Sequence, residues 1–222
     1  MSLINSILTT LYSKRLKAIE HFRRFPWEVQ AEQFRLLMSY GAQTDYFRHY
    51  DMHAYDSVET YQRRIPVVNY DDIQTEIERM RRGEENILWP GKVGWFAKSS
   101  GTTGDRSKYI PVTDEILHQC HFQGGRDTMA LFAYYHPRSK AFSGKTLTLG
   151  GSHRLDPLGG GVQSGDLSAI LIHNAPGWVN RLREPSTHIA LIPDFERKVD
   201  AICWRCSKQR VTAFVGVPSW NL

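Results

Sequence analysis

Residues 99–108 read Ser-Ser-Gly-Thr-Thr-Gly-Asp-Arg-Ser-Lys, a run that concentrates the side chains best suited to hold a phosphate. Gly101 and Gly104 let backbone N–H groups approach an anion closely. The hydroxyls of Ser99, Ser100, Thr102 and Thr103 donate further hydrogen bonds, and Lys108 offsets charge as a mobile point cation. Composition alone leaves a plain Ser/Thr/Gly turn or flexible linker open. Position narrows it: the run follows Gly94-Trp95-Phe96-Ala97, which reads as a short strand, and precedes Thr113-Asp114-Glu115, a good helix N-terminus.

Other candidate chemistry is weaker. Ser143-Gly144-Lys145-Thr146 ends like a P-loop, but the first glycine of that motif would fall on Ser139, and a strand follows where a helix is needed. Cys203-Trp-Arg-Cys206 has redox spacing, yet it sits inside a helical stretch and no second pair completes a zinc site. His118 and His121 share helical spacing without a carboxylate or third ligand.

The elements that must position the run read as α/β order. Ile4, Leu8, Leu11, Ile19 and Phe22 recur near helical spacing, giving an amphipathic helix that ends before Pro26 and packs on its own domain, with membrane-surface docking the alternative. A second helix spans about Trp27–Tyr40 and stops at Gly41. Tyr70–Arg82 starts with acids and ends with arginines, matching the helix dipole at both ends, and Gly83 closes it. The helix begun at Thr113 runs through Leu131 to about Tyr135. Lys145–Gly150 and Val211–Val217 are strands, the second with the near-continuous apolar character of an interior strand, and Asp194–Lys208 between them is helical. A partly parallel sheet with helices on both faces follows.

Composition bounds the function classes. With 222 residues, 41% hydrophobic and 23% charged, the chain is long and apolar enough for a real core, and 10 Tyr, 10 Phe and 6 Trp supply bulky anchors for it. The net charge of +5 does not make a nucleic-acid groove. Its basic pairs and triplets, Arg23-Arg24, Arg63-Arg64 and Arg79-Arg81-Arg82, stand among acids as on any solvated helix face. Three cysteines, an odd number, form no disulfide framework and suit the reducing cytoplasm. The apolar opening is followed, not preceded, by Lys14, Arg15 and Lys17, so no export signal is read, and no apolar run is long enough to span a bilayer.

Order, beyond composition, carries a resemblance. Ser-Ser-Gly-Thr-Thr-Gly followed by Lys resembles the phosphate-binding signature of the acyl-adenylate-forming superfamily. Lys108, four residues after Gly104 and continuing Tyr109-Ile110-Pro111-Val112-Thr113, is similar to the longer loop and Lys-x-Ile-Pro tail of the auxin-responsive acyl acid amido synthetase family. Gly150-Gly151-Ser152, Gly165-Asp166-Leu167-Ser168-Ala169-Ile170-Leu171, Ile189-Ala190-Leu191 and Val215-Gly216-Val217-Pro218-Ser219-Trp220 look like bacterial members. The resemblance runs over essentially the whole chain.

What the resemblance implies is specific. Residues 1–222 would be the N-terminal portion of one large adenylate-forming domain, truncated and without the C-terminal domain, with a mixed sheet and flanking helices. The family's Tyr-x-x-Ser/Thr-Glu and Tyr-Arg-x-Gly-Asp segments are not found; Gly165-Asp166, preceded by Gln163-Ser164, is not the latter. The implied reaction activates a carboxylic acid with ATP and Mg2+ as an acyl-adenylate, then transfers it to an amino acid as an amide. Ser99, Ser100, Gly101, Thr102, Thr103 and Gly104 would cradle phosphates and Lys108 would act catalytically on their charge. The competing reading is a non-catalytic chain, truncated or degenerate, that binds nucleotide weakly or serves as an interaction module. Either way, a strand Val211–Val217 at a cut edge is expected to favour self-association. No nucleic-acid or membrane partner is expected.

Overall fold

The computed structural model describes residues 3–99, 107–149, 155–190 and 192–216. In chain order the helices are α1 (Leu3–Arg24), α2 (Pro26–Gly41), α3 (Asp45–His49), α4 (Val58–Arg64) and α5 (Gln74–Arg81), followed by strands β1 (Trp95–Lys98) and β2 (Tyr109–Val112). Next come α6 (Gln123–Tyr135), β3 (Lys145–Thr148), β4 (Asp156–Gly159), β5 (Val162–Gly165), α7 (Leu167–His173) and α8 (Gly177–Leu182). The series closes with β6 (Arg183–Glu184), α9 (Thr187–Ala190), α10 (Phe195–Cys206) and β7 (Val211–Val215). The chain divides into two compact units, one of His21–Thr113 with Asp156–Ser164, the other of Met1–Glu20, Asp114–Leu155 and Gly165–Leu222.

In the His21–Thr113 unit, the break between α1 and α2 falls where the sequence requires it. Phe25, the residue before Pro26, leaves the helical region (φ −126°, ψ 53°), and the proline then occupies the first turn of α2, where its missing N–H costs nothing. Thr44 caps α3 and is fully buried yet satisfied: its hydroxyl donates to the Gly41 carbonyl at 2.7 Å and accepts from the Phe47 N–H at 3.2 Å. The reading of Tyr70–Arg82 as helical holds, split into a 3-10 turn at Asp71–Ile73 and α5. Gly83 ends it at φ +89°, a left-handed conformation that costs glycine least.

The sheet of this unit has the order β2-β1-β5-β4. β1 and β2 are antiparallel, with Trp95 opposite Val112 and Lys98 opposite Tyr109. Pro111 lies on β2, an edge strand, where an absent N–H leaves no gap in the ladder. Beneath the sheet, Phe96, Ile77, Met80, Ile87, Val93 and Val162 form the buried core. α5 thus packs against the strands that bracket the candidate loop.

Asp45, on the first turn of α3, ties that helix to α5. Its carboxylate accepts from Arg48 and, at 3.0 Å, from Arg79. The Arg48 hydrogen bond first and the Arg79 bond second hold its carboxyl below the usual carboxylate range. A folded-state value below the unfolded one gives stability that is present at neutral pH and lost as acid titrates the carboxylate below about pH 4. Asp45→Asn is therefore expected to lower the melting temperature at pH 7, with the gap to the parent chain closing toward pH 2–3. Melting curves across that range check it, and a gap that is constant with pH would rule out the ionic role.

In the second unit, α1 docks through a bidentate ion pair from Arg15 to Asp127 on α6, at 2.6 and 2.9 Å. The helix expected from Thr113 to about Tyr135 forms, but its Ile116–Phe122 stretch is π-helical before α6 continues it. The sheet here has the order β6-β3-β7 and is parallel throughout. Antiparallel and parallel pairings therefore both occur, on separate sheets, within the expected α/β class. Asp166 and Asp194 cap α7 and α10 by accepting from the N–H groups of Ser168 and Arg197.

One expectation changes. β7 was read as an interior strand from its apolar run, whereas β3 holds the centre and β7 pairs only with β3 among the described residues. Phe214 and Val215 stand 68% and 57% exposed there. A continuous apolar run reports the capacity to be covered on both faces, and pairing partners decide whether it is.

Candidate functional site

The hairpin β1–β2 presents the loop of residues 99–108, and its mouth is closed by two hydrogen bonds. The Ser99 N–H donates to the Lys108 carbonyl at 2.9 Å, and the Lys108 N–H donates to Ser99 Oγ at 3.0 Å. The strand that was expected to lead into the loop is β1, and the loop returns as β2. Ser100, Gly101, Thr102, Thr103 and Gly104 lie outside the described residues. Ser99 Oγ accepts from the loop's far end, which leaves its own O–H free to donate outward.

Lys108 is exposed and makes no ion pair among the described residues. Its ammonium sits 5.3 Å from the centroid of the Tyr70 ring, a cation–π distance. The same tyrosine reaches the next residue, since its hydroxyl accepts from the Tyr109 N–H at 2.9 Å. Tyr109 in turn carries the Arg81 guanidinium over its ring at 3.5 Å, with the Lys98 ammonium 5.8 Å away. Lys98 is held at 2.6 Å by Asp156 from β4.

The loop base is therefore a cationic corner in which Arg81 and Lys98 are paired with Glu78 and Asp156, while Lys108 has no ion-pair partner among the described residues. An anion at the loop base would meet that cation and the Ser99 hydroxyl. Arg81, Tyr70, Lys98 and Asp156 were not foreseen as part of this corner. Lys98 directly precedes the loop on β1, whereas Tyr70, Arg81 and Asp156 are distant from it in sequence and reach it only through the packing of the fold.

A cavity of about 580 Å³ in the same unit is lined by Tyr46, Tyr50, Ile73, Glu76 and Arg79, and none of the described loop residues faces it. Burial foremost, then the neighbouring Tyr50, pushes the Tyr46 hydroxyl up to about 12, so it stays protonated as a donor. Among the described residues no group of three or more His, Cys, Asp or Glu side chains is placed to hold a metal ion. The three cysteines are free thiols, and Cys206 is raised by burial, the opposite of an activated thiolate. No described helix is long and apolar enough to cross a membrane.

The other unit buries Arg183, Glu184 and Lys198. Glu184 accepts from Arg205 at 3.2 and 3.4 Å, and Arg183 donates to Asn180 at 2.9 Å and Thr187 at 2.7 Å. Lys198 is buried on α10, and that burial lowers its basicity against a smaller opposing effect of Asp166.

Among known proteins, the chain is similar to plant indole-3-acetic acid-amido synthetases. It is 30% identical over 112 residues to GH3.4 of Arabidopsis thaliana, covering 50% of this chain and 19% of that protein. It is 32% identical over 105 residues to GH3.3 of the same plant, covering 47% and 18%. The matched segments thus span less than a fifth of those relatives. In three dimensions the GH3.15 acyl acid amido synthetase superimposes with a TM-score of 0.70 at 21% identity, over 84% of this chain and 32% of that one. Its complex with 2,4-DB gives 0.65 at 24% identity, over 74% and 28%. At such identities the superpositions establish the fold. Residues 15–211 match the GH3 family N-terminal domain, and the chain belongs to that family.

Proposed function

We propose that this chain supplies the phosphate-binding part of an acyl acid amido synthetase, which activates a carboxylic acid with ATP and passes the acyl group to an amino acid. The observation that carries the proposal is the exposed ammonium of Lys108 at the mouth of a Ser/Thr/Gly loop, in a chain of the GH3 family. In the first step a carboxylate oxygen bonds to the α-phosphorus of ATP and pyrophosphate leaves. In the second, an amine nitrogen bonds to the acyl carbon, AMP leaves and the nitrogen loses a proton. A carboxylate is a poor electrophile, whereas the mixed anhydride has a good leaving group.

The work assigned to the chain is orientation and charge. Ser99, Ser100, Thr102 and Thr103, with the backbone at Gly101 and Gly104, hold the phosphates, and Lys108 neutralises charge that builds as pyrophosphate departs. ATP is a substrate here. Mg2+ ordinarily takes one or two carboxylates together with the nucleotide's own phosphates. The roles given to this chain's residues are those of phosphate binding and charge neutralisation beside it. The three free thiols suit the cytoplasm as its place of work.

The test is acid-dependent ATP–pyrophosphate exchange by the intact protein, with indole-3-acetic acid, the acid that names the plant relatives, first in a broad panel. Exchange with at least one acid is expected, and AMP release with an amide product once an amino acid is added. A folded protein that shows no exchange with any acid would overturn the proposal. A thioester formed with coenzyme A, in place of an amide, would move it to the acyl-CoA synthetase branch.

A further inference from the structure

We infer that Arg81 and Tyr70 are positioning residues for the phosphate-binding lysine, acting through Tyr109; this rests on the phosphate role proposed above for Lys108. Tyr70 serves the two ends of one peptide. Its ring faces the Lys108 ammonium at 5.3 Å and its hydroxyl takes the N–H of the next residue at 2.9 Å. That N–H belongs to the first residue of β2, where the strand pairs with Lys98. The tyrosine therefore fixes both the point at which the chain leaves the loop and the direction in which the lysine extends.

Arg81 holds the other side. Its guanidinium lies 3.5 Å over the Tyr109 ring, and one nitrogen is taken by Glu78. Its Nε is buried without a hydrogen-bond partner, so the stack on Tyr109 replaces the pairing that this nitrogen would ordinarily have. A half-buried guanidinium kept this way is specific to arginine. Lysine has no plane to stack and no second nitrogen for Glu78. Arg81 ends α5, whose Ile77 and Met80 are core residues, so the loop mouth is anchored to the interior of its unit. A cation held in place before an anion arrives loses less freedom on binding, which is how such a shell strengthens a loop it does not touch.

The experiment uses the 222-residue chain, inorganic tripolyphosphate and ATP as probes, and backbone amide signals as the readout. In the parent chain both probes are expected to shift the amides of Ser99, Lys108 and Tyr109. Arg81→Lys and Tyr70→Leu should each weaken tripolyphosphate binding roughly tenfold, the loss of one cation–π or preorganising contact, and should speed hydrogen exchange at the Tyr109 amide. Tyr70→Phe keeps the ring and removes the hydroxyl, so it should speed Tyr109 exchange with a smaller loss of binding. If Tyr70→Leu does not fold, Tyr70→Phe carries that arm alone. Folded variants that bind like the parent, with unchanged Tyr109 exchange, overturn this inference while leaving Lys108 its role. A parent chain whose loop amides ignore both probes overturns the phosphate reading itself, and the inference falls with it.

Discussion

Replacing Lys108 by alanine in the intact protein is expected to slow acid-dependent ATP–pyrophosphate exchange by about 10²–10³-fold, the usual loss for one preorganised charge-stabilising group. The fold should barely register the change. Lys108 is exposed, makes no ion pair among the described residues, and its ammonium lies 5.3 Å from the centroid of the Tyr70 ring. An exposed cation–π contact contributes about 0.5–1 kcal/mol, which for a chain of this size moves the melting temperature by about 1–4 °C. Lys108→Arg keeps the charge but carries it on a larger, planar head, so part of the rate should return. Exchange rates and melting curves on the same samples decide the matter. Losses of rate and of stability that run in proportion would make Lys108 a structural residue, and its phosphate role would be wrong.

How far the sequence alone leads depends on whether a feature is local. Pro26, Gly83 and Asp194 act within a turn of where they stand, and the helix ends read there agree with those observed to within two residues. The hairpin β4–β5 shows the opposite case. Its strands contain Pro157 and Gly159 and turn through Gly159, Gly160 and Gly161, all at positive φ. Such residues have little strand propensity of their own, and what makes them strands is pairing within the sheet that contains β1. The π-helical stretch Ile116–Phe122 has no distinguishing composition either.

The site divides along the same line. The loop 99–108 is contiguous, so it could be picked out from sequence as a candidate phosphate-binding run. Arg81 is 28 residues from Tyr109 and Asp156 is 58 from Lys98, and at those separations no spacing rule links the partners. The feature that joins them is the packing of α5 and β4 around the hairpin. Candidate donors could thus be named from order, while the groups packed around Lys108 became visible only with the fold.

That packing has a centre, and removing it should give the largest change in stability. Phe96, in the middle of β1, is fully buried among Ile77, Met80, Ile87, Val93 and Val162. It joins α5 to the sheet two residues before Lys98 and three before the loop begins. Phe96→Ala deletes an aromatic ring from a site that α5 and β5 can close only in part, so the cost is expected at about 3–5 kcal/mol. Since domains are stable by about 5–15 kcal/mol in total, much of the margin would go, with a fall of about 6–20 °C in melting temperature. Ile110→Ala is the matched control: it lies on the neighbouring strand but is 46% exposed, and about 1 kcal/mol or less is expected from it. The two variants also separate folding from chemistry. Below its melting transition the Phe96→Ala protein should retain its KM for ATP and lose rate only as its folded fraction falls, the reverse of Lys108→Ala. Chemical denaturation of both variants, with exchange measured at a temperature where each is folded, tests the pair. A Phe96→Ala protein within about 1 kcal/mol of its parent would mean that this cluster does not hold the loop's platform, and that the hairpin draws its rigidity from the contacts of Arg81, Tyr70 and Tyr109 instead.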